Sequence, residues 1–217
     1  MPTAPYTPTR KRPRRRRRGG RALLLLLILA LIGCGLFFLL HRTPPAPKPI
    51  LEEDWVAVEM LPKNKFSRPG LPLRQVNGVV VHYTGNPNTS AEQTVSFYTN
   101  LAETGETYAS SHFVIGMDGT IIQCIPLNEE AYCSNSRNVD TISIECCHPD
   151  KSGVFTDQTY QSLVKLTRYL VKGYRLKENQ VIRHYDVTGK LCPYHYATDE
   201  NAWNAFKEDV FRRALPF

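Results

Sequence analysis

The first 50 positions contain no aspartate or glutamate, whereas eleven of the chain's 27 lysines and arginines lie there, nine of them between Arg10 and Arg21. Residues 51–217 are left with sixteen basic residues against all 20 acidic ones, so the body carries a net charge of −4. A nucleic-acid-binding domain needs its basic footprint on the folded part, and that partner is excluded. There is no internal repeat, no collagen-like period and no heptad, which removes solenoid, triple-helical and coiled-coil architectures. A charged fraction of only 22% with 10% aromatic residues excludes a disordered chain. About 165 residues remain for folding, enough for one domain with its own core.

Charge is also missing from residues 22–40, a Leu-rich run interrupted only by Gly33, Cys34 and Gly35. At ~1.5 Å per residue it would reach roughly 28 Å, close to the hydrocarbon thickness of a bilayer. The basic cluster stands directly before it, and only His41 and Arg42 follow closely. The positive-inside rule then predicts a single-pass anchor in the cytoplasmic membrane, with residues 1–21 as a cytoplasmic tail and the body outside. The competing reading is a cleaved signal, because Leu31-Ile32-Gly33-Cys34 looks like a lipobox with Cys34 as the lipidated residue. Against it, Gly35-Leu36-Phe37-Phe38-Leu39-Leu40 continues the apolar run. Residues 41–50 read as a proline-rich, extended linker. Residues 51–75 read as an arm wrapping the domain that follows over 76–217.

In that body, Gly78-Val79-Val80-Val81 marks a buried strand over 76–82. Ser90-Ala91-Glu92-Gln93 fits a capping box opening a helix over 90–102. Asp118-Gly119 predicts a hairpin between strands at 111–117 and 120–125. A strand is expected at 141–147, with Ser143, Glu145 and Cys147 facing away from Ile142, Ile144 and Cys146. Helical periodicity over 156–174 places Tyr160, Leu163, Val164, Thr167, Leu170, Val171 and Tyr174 on one face. A short strand at 180–183 and an amphipathic helix at 201–213 complete an α/β domain, a central mixed sheet flanked by helices.

Three chemical features fall at strand ends: His82; Glu145; and the stretch from His184 through Lys190, Cys192 and Pro193. Two imidazoles and a thiolate are a plausible catalytic zinc set with one coordination position left open. Amide hydrolysis at such a centre needs a carboxylate to carry the proton and a cation for the oxyanion, and Glu145 and Lys190 are residues of those kinds. Spacing alone is weak evidence for the metal and favours a structural, hydrogen-bonded histidine at a strand end.

The motifs Val79-Val80-Val81-His82-Tyr83-Thr84, Ser111-His112-Phe113-Val114-Ile115 with Asp118-Gly119, Ile142-Ser143-Ile144-Glu145, and His184 through Pro193 occur together and in order. In this the body resembles the zinc-dependent N-acetylmuramoyl-L-alanine amidases, over about residues 76–210 and none of the N-terminal tail. The resemblance implies His82, His184 and Cys192 as Zn2+ ligands, Glu145 as acid/base and Lys190 as site cation. It implies peptidoglycan as substrate, cut between the lactyl group of N-acetylmuramic acid and L-alanine. Two positions depart from the family pattern. Ser111 stands where many relatives have tyrosine, and Ala131-Tyr132-Cys133 replaces an Ala-Trp-His-like segment.

Tyr83, Thr84, Asn86, His112, Tyr132 and Asn138 are candidate substrate contacts, His112 being equally readable as a core histidine. Asn86, Asn135 and Asn138 are alternatively turn residues. His148 and His195 read as surface or structural, and Asp186 as a partner of His184 or a loop cap. Outside the membrane disulfides are permitted, and Cys124 with Cys133 is one candidate pair. Two other functions stay open: a non-catalytic peptidoglycan receptor on the same fold, and a zinc peptidase cutting another wall amide. Oligomeric state is not legible.

Overall fold

A computed structural model describes Met1, residues 19–40 and residues 46–212. It divides into an N-terminal unit, Met1–Thr43, and a second unit, Pro44–Phe217. The first contains α1, Gly19–Leu40, whose side chains at 24–37 are all exposed. Among the described residues no helix is long and apolar enough to cross a membrane. The expected helix over 22–40 is therefore present, but a membrane span is not supported by it. Most of the basic tail (2–18), the start of the linker (41–45), the last position of the expected closing helix (213) and residues 214–217 lie outside the described residues.

The second unit is organised by β2, Gly78–Tyr83, whose first five residues are buried. It is the β-branched run expected to be a central strand, and it takes a parallel partner on each side. β5, Thr141–Cys146, pairs with it from Gly78↔Thr141 to Tyr83↔Cys146, and β6, Val181–Arg183, pairs on the other edge. β3, Phe113–Ile115, lies parallel to β5 and forms an antiparallel hairpin with β4, Ile121–Gln123. The hairpin turns at Gly119, which has φ 86° and whose added Cβ would stand 3.0 Å from the Gln158 carbonyl, so only glycine fits there. The arm does more than wrap. Its Ala57–Val58, β1, adds a parallel edge strand on β4, and Leu51, Val56, Leu61 and Leu73 are buried in the core. The sheet order is β1-β4-β3-β5-β2-β6, a mixed sheet as expected.

Alternation along the strands divides the core in two. Val79, Val81, Phe113, Ile115, Ile142, Ile144 and Cys146 face α3, Asp157–Tyr174, through Leu163, Leu166 and Leu170. Val114, Ile122 and Cys147 face α2, Ala91–Thr104, through Val95, Tyr98 and Leu101. The two helices thus cover opposite faces of the sheet. α2 opens with the expected capping box, Ser90 and Gln93 exchanging bonds with each other's backbone N–H. α3 is capped by Thr156; its buried stripe also takes in Leu166 and leaves Tyr160, Val164 and Val171 half-buried. After β6 come two single-turn helices, α4 (His184–Thr188) and α5 (Tyr194–Thr198), then α6, Glu200–Phe211, capped by Asp199 and packed on α3.

The cysteine expectations divide. Cys146 and Cys147 do point to opposite faces. The candidate Cys124–Cys133 pair is not formed and both thiols are free. Cys124 is buried under α2, donating weakly to the Ile122 carbonyl, whereas Cys133 is turned toward Glu145.

Candidate metal centre and active site

Strand parity decides which polar groups meet. Val80 and His82 share one face of β2, and Ser143 and Glu145 share the same face of β5, the side covered by α2. The register sets His82 directly beside Glu145. β6 pairs with the other edge of β2, so the chain leaving Arg183 delivers His184 next to His82, their ring centroids 4.7 Å apart. The α4 turn closes on Gly189 and doubles back through a Cys192 N–H to Lys190 carbonyl bond of 2.7 Å. The Tyr185 N–H bonds the Cys192 carbonyl at 2.9 Å, and Cys192 Sγ comes to 3.8 Å from His82 Nδ1. One donor atom from each of His82, His184 and Cys192 lies within 4.8 Å of the others.

This donor set fits a zinc ion. His184 Nε2 is 2.7 Å from Asn135 Oδ1, an acceptor, so Nε2 carries the proton and Nδ1 keeps its lone pair. His82 Nε2 is occupied by Ser134 Oγ at 3.0 Å, leaving Nδ1 toward Cys192. Burial, then the neighbouring His184 and Lys190, hold the His82 imidazole well below its ordinary value, and burial with Lys190 lowers His184. Both rings are therefore neutral and able to ligate. Burial and the Glu145 carboxylate push the Cys192 thiol up to about 12. A thiol so placed stays protonated until a metal cation binds the sulfur and displaces the proton to solvent, and two imidazoles with one thiolate are a borderline-soft set suited to zinc.

Glu145 is almost wholly buried, and burial raises its carboxyl to about 7, against the opposing pull of the Cys133 S–H and the Lys190 ammonium. Cys133 Sγ is 3.4 Å from Glu145 Oε2. The cleft above these groups has a volume of about 640 Å³. It brings together His82, Tyr83, Thr84, Asn86, Tyr132, Glu145, His184, Lys190 and Cys192 from the sequence expectations. Gln93, Phe97 and Tyr98 of α2, with Tyr108, form the wall that sequence reasoning missed. Nothing in their spacing distinguishes them from an ordinary amphipathic helix and loop.

Several expectations are corrected. His112 is not a substrate contact. It is 1% exposed, with Nδ1 accepting from the Ser143 N–H at 3.0 Å and Nε2 donating to the Glu129 carbonyl at 2.9 Å. Asn138 turns its side chain into its own loop, where Oδ1 accepts from the Cys133 and Ser134 N–H groups. Asn135, read as a surface turn residue or substrate contact, instead orients His184. Asp186 caps the α4 turn by pairing with Arg183 and has no bond to His184. His148, expected at the surface or in a structural role, takes the structural one: it is buried and stacked on Tyr83, ring centroids 4.9 Å apart. Ser111, at the position where many relatives carry tyrosine, is fully buried and donates to the Phe113 and Ser143 carbonyls.

Residues 72–195, which contain all these groups, match the family described as N-acetylmuramoyl-L-alanine amidase. The chain belongs to the N-acetylmuramoyl-L-alanine amidase family. Among the chain's curated relatives, the N-acetylmuramoyl-L-alanine amidase CwlL of Bacillus licheniformis is 34% identical over 161 residues, 68% of this chain and 44% of its own length. BlyA of Bacillus subtilis (strain 168) is 30% identical over 171 residues, 69% of this chain and 45% of its own. The chain thus spans about half the length of the curated relatives it matches. The amidase fold is seen in the solved structure of PlyL, with a TM-score of 0.62 at 24% identity, covering 74% of this chain and 99% of that one. The catalytic domain of XlyA gives a TM-score of 0.58 at 24% identity, with 71% and 98% covered.

Proposed function

We propose that the chain is a peptidoglycan amidase that hydrolyses the bond between N-acetylmuramic acid and the L-alanine of the stem peptide. The observation that carries this reading is the convergence of a three-donor metal cluster and a buried carboxyl in one open cleft, in a chain of the amidase family. His82, His184 and Cys192 would hold a zinc ion, which when bound supplies Lewis acidity for water and for the scissile carbonyl. Glu145 is the general base: with its carboxyl raised to about 7, it takes the proton of the attacking water and returns it to the departing alanine nitrogen. Lys190, exposed at the cleft, offsets the charge developing on the carbonyl oxygen. Asn135 holds the His184 imidazole in its ligating tautomer, and Ser134 Oγ occupies His82 Nε2 so that Nδ1 is the nitrogen turned to the metal site. Tyr83, Thr84, Asn86 and Tyr132 are left to grip sugar and peptide.

The same proposal places the enzyme at the cytoplasmic membrane, N-terminus inside, held by residues 22–40 with its domain facing the wall. Support comes from the sequence: the charge-free run and the basic cluster directly before it. The test is to incubate the chain with purified peptidoglycan, with and without a chelator, and identify released products by mass spectrometry. Stem peptides with a free N-terminal alanine, lost on chelation and restored by zinc, are expected. Cleavage at a different amide, or wall that binds the chain and stays intact, would overturn the reading.

A further inference from the structure

The exposed side of α3 carries Lys165, Arg168 and Lys172, with Arg175 at its C-cap. The spacing of three, four and three residues sets all four cations in one stripe along the helix. Among the described residues, none of them makes an ion pair with a carboxylate. Lys165 lies over the Trp55 ring at 4.3 Å, and Arg168 Nε donates to the Asp209 backbone carbonyl at 2.9 Å. Of the carboxylates on this side, Glu53 and Asp209 are already engaged, and the exposed Glu52 lines the groove beside Lys172 without an ion pair to it. Glu53 accepts from Trp55 Nε1, and Asp209 from Tyr160 and Arg212. Beside the stripe, Trp55 and Tyr169 meet edge to face at 5.7 Å, half-exposed aromatic rings of the kind that sit at a membrane interface.

The path of the chain says what lies opposite. Residues 46–53 run along this same face, where Ala46, Lys48 and Ile50 share a groove of about 550 Å³ with Tyr169 and Lys172. The segment that leads from the tether therefore enters the domain next to the basic stripe. The catalytic cleft opens on the other side of the sheet, over α2. We infer that the α3 stripe docks the domain onto anionic lipid headgroups, so that the catalytic cleft faces away from the bilayer. The occupant follows from charge and position: unpaired cations beside interfacial aromatics, at the point where the linker arrives. A body of net charge −4 gives no other reason to gather unpaired cations here. The inference rests on the membrane tether proposed above, and it adds an orientation to it.

The test is amine-reactive footprinting of the full chain in nanodiscs of either pure phosphatidylcholine or a mixture with phosphatidylglycerol. In the anionic discs, labelling of Lys165 and Lys172 is expected to fall about five-fold, roughly the worth of one headgroup contact, while Lys190 at the cleft is unchanged. High salt, or the double change Arg168→Glu with Arg175→Glu, should restore labelling in the anionic discs. Equal labelling of Lys165 and Lys172 in both discs overturns the inference. So does protection by a purified anionic wall polymer with none by lipid. If the chain fails to insert in either disc, the tether reading falls; the soluble chain is then added to anionic vesicles, and unprotected lysines overturn the stripe as well.

Discussion

His112 makes the stability of the domain depend on pH in a way that can be worked from its surroundings. Its ring is buried, and both nitrogens are committed in the neutral form: Nδ1 accepts the Ser143 N–H, and Nε2 donates to the Glu129 carbonyl. Protonation would set the new Nδ1–H against the Ser143 N–H, with only the Ser143 hydroxyl oxygen, 3.0 Å away, to receive it, and would bury a charge. Burial accordingly lowers the group from 6.5 to about 4, against a smaller upward pull from Glu129. Because the folded value lies below the unfolded one, the unfolded chain binds the extra proton first. The contribution is complete above about pH 6.5 and is lost as pH falls toward 4. A shift of that size corresponds to about 3 kcal/mol in all, of which about 2 kcal/mol is lost between pH 7 and pH 5. The perturbation is His112→Gln, which removes the titration. Urea unfolding of both proteins at the two pH values, in the same mild detergent, measures it. Wild type should lose about 2 kcal/mol more than the variant on acidification, since other titrating groups are common to both. Equal losses would refute the reasoning.

Glu145→Gln keeps the shape of the side chain and removes the base. It should retain full metal content by atomic emission while stem-peptide release falls by ~10²–10⁴-fold. Cys192→Ser should come off a metal-affinity titration with far weaker zinc binding, and an undiminished zinc complement would remove it from the ligand set. Asn135→Ala leaves His184 Nε2 without its acceptor. Competition against a chromophoric chelator should show zinc affinity reduced by ~10–100-fold, with no change in far-UV circular dichroism.

Much of the domain was legible because local signals agreed with the fold. The β-branched run gave β2, the Ser90 and Gln93 pattern gave the start of α2, and Asp118-Gly119 gave the hairpin. Alternation correctly set Glu145 against Ile144. The pairing of His82 with His184 was not available from spacing, since it depends on β6 docking against β2 about a hundred residues away; family resemblance supplied it. His112 stayed evenly balanced for a physical reason, because a histidine in an apolar strand looks alike whether it faces a cleft or a carbonyl; the structure meets the core reading. The arm was under-read, since two residues forming β1 are too short to show a period. Asn135 and Asn138 looked equivalent, and only the loop's turn separates the one that reaches His184 from the one that caps its own backbone.

The parity of β5 has one more consequence. If β5 slipped by a single residue against β2, Glu145 would swing into the apolar layer under α3, and Ile144 or Cys146 would take its place beside His82. The misaligned sheet would have to drown a carboxylate among leucines while stranding an isoleucine in a wet cleft. The proton carrier therefore doubles as a proofreader of strand alignment. For a one-residue slip, an error in folding and a loss of chemistry become the same event.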